Sequence, residues 1–236
     1  ISGDKNYLDE TAKLILGQDL FNSVVDRIAS QGTIGGTNGL YLWGCLVKYL
    51  IPKPTIILSN PTWENHQKIF SYLGFKIVEY QHLTADKKLN FKELVNVIMN
   101  HPRSFILLQG GPTHNPTGVN PNSREWEQLI ELIQTNQIQV LFDFAYMGLG
   151  DNPESDCEPL RKFTEANIPM TIIFSYSKNM TLYQHRVGAV YILTKTRDEK
   201  KQIQSRLSGL FRSINSNPAA FGELIVKSVL SSNDLK

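Results

Sequence analysis

Cysteine is scarce: Cys45 and Cys157 are the only two among 236 residues. They stand far apart and lack C-x-x-C spacing, which leaves no basis for a zinc ribbon or a disulfide framework, and two free thiols suit a reducing, cytoplasmic compartment. An excess of either charge is lacking too. Lys and Arg number 24 against 22 Asp and Glu, a net charge of +2. With the basic residues scattered, neither a nucleic-acid stripe nor a polybasic membrane patch is expected, and a small molecule is the expected partner. The longest apolar runs, around residues 105–108 and 139–142, are far too short to span a bilayer, and no signal-peptide pattern opens the chain. Internal repeats, low-complexity tracts and interdomain linkers are absent as well. What remains is a chain of ordinary globular balance, 41% hydrophobic and 19% charged, read as one large domain over residues 1–236. It opens at Ile1 without a methionine and closes directly after an apolar helical pattern, so it is expected to be a piece of something longer.

Periodicity supplies the architecture. Helical spacing appears at residues 7–16 and 20–29, ahead of the glycine-rich run 32–39, and residues 40–51 form a helix that is apolar almost all round, as expected against a sheet. Strand and helix then alternate. Strands are expected at 55–59, 76–80, 105–109, 139–143, 171–175 and 187–193. Helices are expected at 64–73, 91–99 with Asn90 as N-cap, 123–135, 159–166, 200–210 and 219–230. Several strands are unbroken apolar runs, the mark of strands covered on both faces. The pattern predicts an α/β fold, a mainly parallel sheet flanked by helices and joined by right-handed crossovers.

In such sheets ligands collect beyond the carboxyl ends of the strands. The residues there are Trp63, His114 with Asn115, Asp143 with Tyr146, and Ser175, Ser177 and Lys178. A lysine in a crevice loses hydration and becomes a better amine nucleophile toward a carbonyl. An aspartate could pair with a protonated pyridine nitrogen, and the turn opening a helix at Thr37 offers N–H groups and a helix dipole to a phosphate. Those are the parts a pyridoxal 5'-phosphate site needs.

Longer motifs make the resemblance specific. Ser59-Asn60-Pro61-Thr62-Trp63-Glu64-Asn65-His66, His114-Asn115-Pro116-Thr117-Gly118, Asp143-Phe144-Ala145-Tyr146, Ser175-Tyr176-Ser177-Lys178-Asn179 and Leu182-Tyr183-Gln184-His185-Arg186-Val187-Gly188 resemble the aspartate aminotransferase family, in its order and nearly at its spacing. The resemblance implies the large domain of a fold-type-I pyridoxal-phosphate enzyme. Lys178 would form the Schiff base and shuttle a proton, and Asp143 would keep the pyridine nitrogen protonated. Asn115 and Tyr146 would bond the phenolic oxygen, and Trp63 would stack on the ring. Arg186, Ser175, Thr37 and the Gly36 amide would hold the phosphate, with His66 backing Asp143. In Phe211-Arg212-Ser213-Ile214-Asn215-Ser216-Asn217-Pro218, Arg212 would reach across a homodimer to the distal carboxylate of aspartate or glutamate; Asn115 and Trp63 would also face the substrate. The implied reaction transfers an amino group from aspartate to 2-oxoglutarate. An aromatic or broad-range aminotransferase uses the same cofactor residues and stays open as an alternative, as does a cofactor-binding fragment that is inactive alone.

Each residue also has a plainer reading. Asp143 can be a turn cap, Trp63 a core residue, His66 a satisfied polar group on a helix, His114 an orienting group for its loop and Arg212 a solvated helix end. Tyr7 is set aside as a substrate tyrosine, because the family's tyrosine for the neighbouring subunit's phosphate would precede Ile1. The chain departs from the family at Gly35, where many members carry serine, at Gly110, where many carry histidine, and at Met180-Thr181 and Gln184-His185. It also stops before the small domain that holds the arginine for the substrate α-carboxylate.

Overall fold

The computed structural model describes residues 2–110 and 113–232; Ile1 and residues 233–236, where the chain opens and closes, lie outside them. Seven strands form one sheet: β1 (Ile28–Ile34), β2 (Thr55–Asn60), β3 (Lys76–Gln81), β4 (Phe105–Gln109), β5 (Gln139–Phe144), β6 (Met170–Ser175) and β7 (Val187–Leu193). Their spatial order is β1-β7-β6-β5-β4-β2-β3. Every neighbouring pair is parallel except those of β7, which runs against both β1 and β6.

The helices are α1 (Lys5–Leu16), α2 (Gln18–Val24), α3 (Gly35–Leu50), α4 (Glu64–Tyr72), α5 (Phe91–Asn100), α6 (Ser123–Asn136), α7 (Pro153–Glu165), α8 (Arg197–Asn215) and α9 (Ala220–Leu230). They cover the sheet on both faces, and the strands divide their side chains between two cores with the period of two that a strand imposes. Ile56, Leu58, Phe105, Leu107, Leu141, Ile173 and Val190 join α3, α4 and α8 on one face. Their neighbours Ile57, Ile106, Leu108, Val140, Phe142, Ile172 and Phe174 join α1, α5, α6, α7 and α9 on the other.

Three expectations need correction. The helix expected over 20–29 stops at Val24; a 3-10 turn at Val25–Arg27 follows, and residue 28 begins β1. The spacing that suggested a helix also suits an edge strand whose partner, β7, lies far along the chain, and Gly32 inside the strand obscured it. The glycine-rich run is therefore divided between β1 and α3, and α3 begins at Gly35, five positions before its apolar face starts. The helix expected from Pro159 begins at Pro153, where Asn152 accepts a hydrogen bond from the Ser155 N–H and Pro153 takes the first-turn position that best suits proline; Pro159 lies inside the helix.

No helix among the described residues is long and apolar enough to cross a membrane.

Candidate cofactor and active site

The register of the sheet brings the chemistry to one edge. Gln109 of β4 pairs with Asp143 of β5, and Ser175, the last residue of β6, pairs with Gly188 of β7. Because β7 alone runs backwards, its first residue Val187 lies opposite Ile34, the last residue of β1. Arg186, just before β7, thus arrives at the same edge as Gly35 and Gly36, just after β1. Gly188 admits no side chain, since a Cβ would stand 2.7 Å from the Phe174 carbonyl oxygen and 2.8 Å from the Gly35 carbonyl carbon.

A cleft of about 60 Å³ opens at this edge, lined by Gly36, Thr37, Trp63, Asn115, Asp143, Tyr146, Ser175, Lys178 and Arg186, together with Leu40, Gln109, Ala145, Ser177 and Tyr183. Every residue expected to face the cofactor is on its wall. Arg212 is not; it sits exposed in the last turn of α8. Tyr7 is far removed in character, fully buried and tilted against Tyr176 with ring centroids 6.1 Å apart. A larger cavity, about 730 Å³, lies at the opposite edge of the sheet and holds none of these groups; the small polar cleft is the one with chemistry.

One wall is a hydrogen-bonded chain. The fully buried His66 meets Asp143, Nε2 to Oδ2 2.8 Å, and its Nδ1 lies 2.7 Å from the Thr62 hydroxyl. The Gln109 amide donates to Thr62 Oγ1 at 3.4 Å and to the Asn115 carbonyl at 3.0 Å, while its oxygen accepts the Asn115 N–H at 2.7 Å. Asn115 Nδ2 donates to the Tyr146 hydroxyl at 3.3 Å. With the Gln109 amide donating to it, the Thr62 hydroxyl keeps its own hydrogen for His66 Nδ1, an arrangement in which Nε2–H donates to Asp143 Oδ2. Burial first, then the negative charge of Asp143, holds the Tyr146 phenol above its usual range, so it stays a hydroxyl donor.

Lys178 stands across the cleft with its Nζ 5.1 Å from the Tyr146 ring centre and 5.5 Å from that of Tyr183. Trp63 meets His66 edge to face at 5.2 Å. His114 turns away from the cleft: it reaches Ser59 Oγ and Thr117 Oγ1, both at 2.8 Å, and stacks on His82 at 3.7 Å. Its work is to hold the Asn115 loop. Burial, and then the neighbouring His82 and His66, push its pKa down to about 3. Residue 156 was not foreseen. Asp156, fully buried, accepts the N–H groups of Gly148 and Gly150 at 2.7 and 3.1 Å and ties down the loop after Tyr146.

The opposite end of the cleft is built for an anion. The first turn of α3 has no side-chain cap at its start, which leaves its N–H groups for another acceptor, and its Gly36 and Thr37 line the cleft with Ser175, Ser177 and Arg186. Arg186 adopts a left-handed backbone, φ 53°, and donates to the Tyr183 carbonyl at 3.0 Å. The glycine at 35 makes room: with φ +74°, its missing Cβ would fall 2.4 Å from an Arg186 Nη. An anion cradle, an aspartate held by a histidine and a lysine across one cleft match the donor set that pyridoxal phosphate requires.

Comparison with known proteins places the chain. Residues 2–236 match the aminotransferase class I and II family, and the chain belongs to it. It is 31% identical to an aspartate aminotransferase of Pseudomonas aeruginosa over all of this chain and 60% of that protein. It is also 30% identical to an aromatic-amino-acid aminotransferase of the same organism, over 99% of this chain and 59% of that one. The crystal structure of the aromatic-amino-acid aminotransferase of Burkholderia pseudomallei, covalently bound to pyridoxal phosphate, superposes with a TM-score of 0.95 at 33% identity, covering all of this chain and 59% of that one. The chain thus spans about 60% of the length of these relatives.

Proposed function

We propose that this chain is the cofactor-binding large domain of a pyridoxal-phosphate-dependent aminotransferase whose full-length form is a homodimer in the cytoplasm. The observation that carries the reading is Asp143, held by the buried His66, facing one cleft with Lys178 and the Arg186 cradle. When bound, pyridoxal phosphate supplies a ring that takes up the electron pair left as the substrate Cα–H bond breaks. The chain's own groups do the rest. Asp143 Oδ holds a proton at the ring nitrogen, and His66 fixes the carboxylate that does so. Lys178 Nζ, the only lysine lining the cleft among the described residues, binds the cofactor and then moves the proton from substrate Cα. Asn115 Nδ2 and the Tyr146 hydroxyl orient the phenolic oxygen, Trp63 packs on the ring, and Arg186, Ser175, Thr37 and the Gly36 N–H hold the phosphate.

The amino donor we propose is aspartate or glutamate, with 2-oxoglutarate or oxaloacetate as the keto partner. Arg212 supports this assignment: exposed and outside its own cleft, it is free to meet a distal carboxylate across a dimer. The likeness to aromatic aminotransferases keeps an aromatic donor as the second reading. Turnover of the full-length enzyme with aspartate against phenylalanine decides between them; a large preference for phenylalanine overturns the dicarboxylate assignment. The cofactor site is tested on the chain itself. Addition of pyridoxal phosphate should give a visible band from lysine-bound cofactor that is absent in Lys178→Ala, and no band in the unmutated chain would overturn the site.

A further inference from the structure

The large cavity lies at the amino edge of the sheet, as far from the cleft as the strands are long, and has a polar collar on an apolar interior. It arises because α3 packs mainly on β7, β6 and β1; its Trp43 reaches Phe105 edge to face at 5.2 Å, and Gln139, the first residue of β5, stays exposed beside them. Trp43 and Phe105, both buried, and the partly buried Ile203 line a space of about 730 Å³, within the range of small-molecule sites. Leu50 and Ile51, 46% and 42% exposed, stand at its mouth.

Three of its lining residues turn the chain from a helix into a strand in the left-handed conformation: Arg103 before β4, Gln137 before β5 and Asn167 before β6, at φ 59°, 54° and 55°. Glycine or asparagine commonly takes such a place, because an L side chain is strained there. Asn167 is engaged by Arg27, whose guanidinium donates to its Oδ1 at 3.1 Å. Among the described residues, the side chains of Arg103 and Gln137 make no hydrogen bond or ion pair. Lys195, at the same rim, has no partner for its ammonium among the described residues. The one carboxylate there, Glu199, already accepts the Lys195 backbone N–H at 2.9 Å. At the other edge of the sheet the same backbone state, in Arg186, presents a guanidinium to an anion cradle.

We propose that this cavity binds an apolar monocarboxylate, its body against Trp43, Phe105 and Ile203 and its carboxylate at Arg103. The inference stands apart from the cofactor reading, since the two sites share no residue. Calorimetric titration of the chain with decanoate and with 4-phenylbutyrate tests it. Saturable one-to-one binding of either supports the site, and the tighter of the two tells whether a straight chain or a ring fits the body. Decan-1-ol, without the charge, should bind at least fivefold more weakly than decanoate. Arg103→Gly should weaken acid binding roughly five- to tenfold, the scale of one charge-assisted contact at a solvent-exposed rim. The same change should leave the melting temperature equal or higher, because glycine suits the left-handed turn. Ile203→Trp, which crowds the apolar body of the site, should weaken binding; if that variant does not fold, Arg103→Gly still decides. Pyridoxal phosphate binding should be unchanged in both. The proposal is overturned by absence of saturable binding at millimolar acid, by undiminished affinity in Arg103→Gly, by displacement with pyridoxal phosphate, or by binding that vanishes as the chain self-associates, which would make a second copy the occupant.

Discussion

The two edges of this sheet are made from the same strands and differ in almost everything else. At the carboxyl edge Gln109, Asp143 and Ser175 stand at or next to the strand ends, and the loops beyond them carry Asn115, Tyr146, Lys178 and Arg186 into a cleft of about 60 Å³. At the amino edge the strands begin or end in Phe105, Met170 and Leu193, and the cavity is twelve times larger in round terms, about 730 Å³, with largely apolar walls. Size therefore does not mark the chemistry. A parallel sheet points its strand ends and helix starts to one side, so N–H groups and convergent side chains gather there, whereas helix ends and packing residues gather on the other. β7 breaks the rule in a useful way, since its reversed direction delivers Arg186 to the chemical edge from a strand start.

Substitutions at the two edges should separate accordingly. The largest effect is expected at Asp143. Removing its charge with Asp143→Ala should cost the full-length enzyme on the order of 10³-fold in kcat, as for loss of one preorganised electrostatic group, with the melting temperature little changed. A loss under tenfold would mean that the carboxylate only caps its loop. At the other edge, Phe105→Ala, which hollows a buried strand start, should destabilise the chain by about 3–5 kcal/mol in a denaturant titration. Its affinity for pyridoxal phosphate should match that of the unmutated chain under conditions where both are folded. Weakened cofactor binding there would join the two edges and break the comparison.

The same contrast explains what could be read from sequence. The places of Asp143 and Lys178 on the cleft wall were legible, because Asp143 ends the apolar run of β5 and Lys178 follows shortly after that of β6. His66 was legible only through its motif, since a histidine on a helix gives no sign that it faces a neighbouring strand. Gln109 was passed over as the polar end of Phe-Ile-Leu-Leu-Gln, although the change from apolar to polar inside a strand was a usable signal. β1 was hidden because its partner is more than 150 positions away and its glycine weakens local preference. The amino-edge cavity was not legible at all: Arg103, Gln137 and Asn167 come from separate turns, and a left-handed backbone leaves no mark in an arginine or a glutamine.

Stability against pH tests the support beneath the chemical edge. Free histidine titrates near 6.5, whereas His114 in the fold is held down to about 3, by burial first and by its histidine neighbours next; burial also lowers His82. Between those values the unfolded chain binds more protons than the folded one, so this contribution is complete above about pH 6.5 and falls away as the pH drops. From pH 7 to 5 the His114 share should be about 2 kcal/mol. Glu223, raised by burial, acts in the opposite sense as the pH falls, so the informative quantity is a difference: His114→Gln should lose less stability than the unmutated chain between pH 7 and 5, by about that amount. Parallel curves would show that the stacked pair does not stay uncharged in the fold.

The smallest expected effect is the most local. Gln109 binds both backbone groups of Asn115 and also meets Thr62, so it joins the chain that ends on Asp143 to the pair that ends on Tyr146. Gln109→Leu removes the clasp and should lower kcat of the full-length enzyme roughly tenfold, an effect of the size of one or two buried hydrogen bonds, with KM changed less. Gln109→Glu separates positioning from packing. Its carboxylate still accepts the Asn115 N–H but donates nothing to Thr62, whose hydroxyl should then turn toward the new charge and leave His66 Nδ1 without a donor. Loss of that hydrogen bond should move the ¹⁵N shift of His66 Nδ1 in the chain without cofactor. An unchanged His66 spectrum would mean that Thr62 and His66 are fixed by Asp143 alone, and that Gln109 serves only the Asn115 loop.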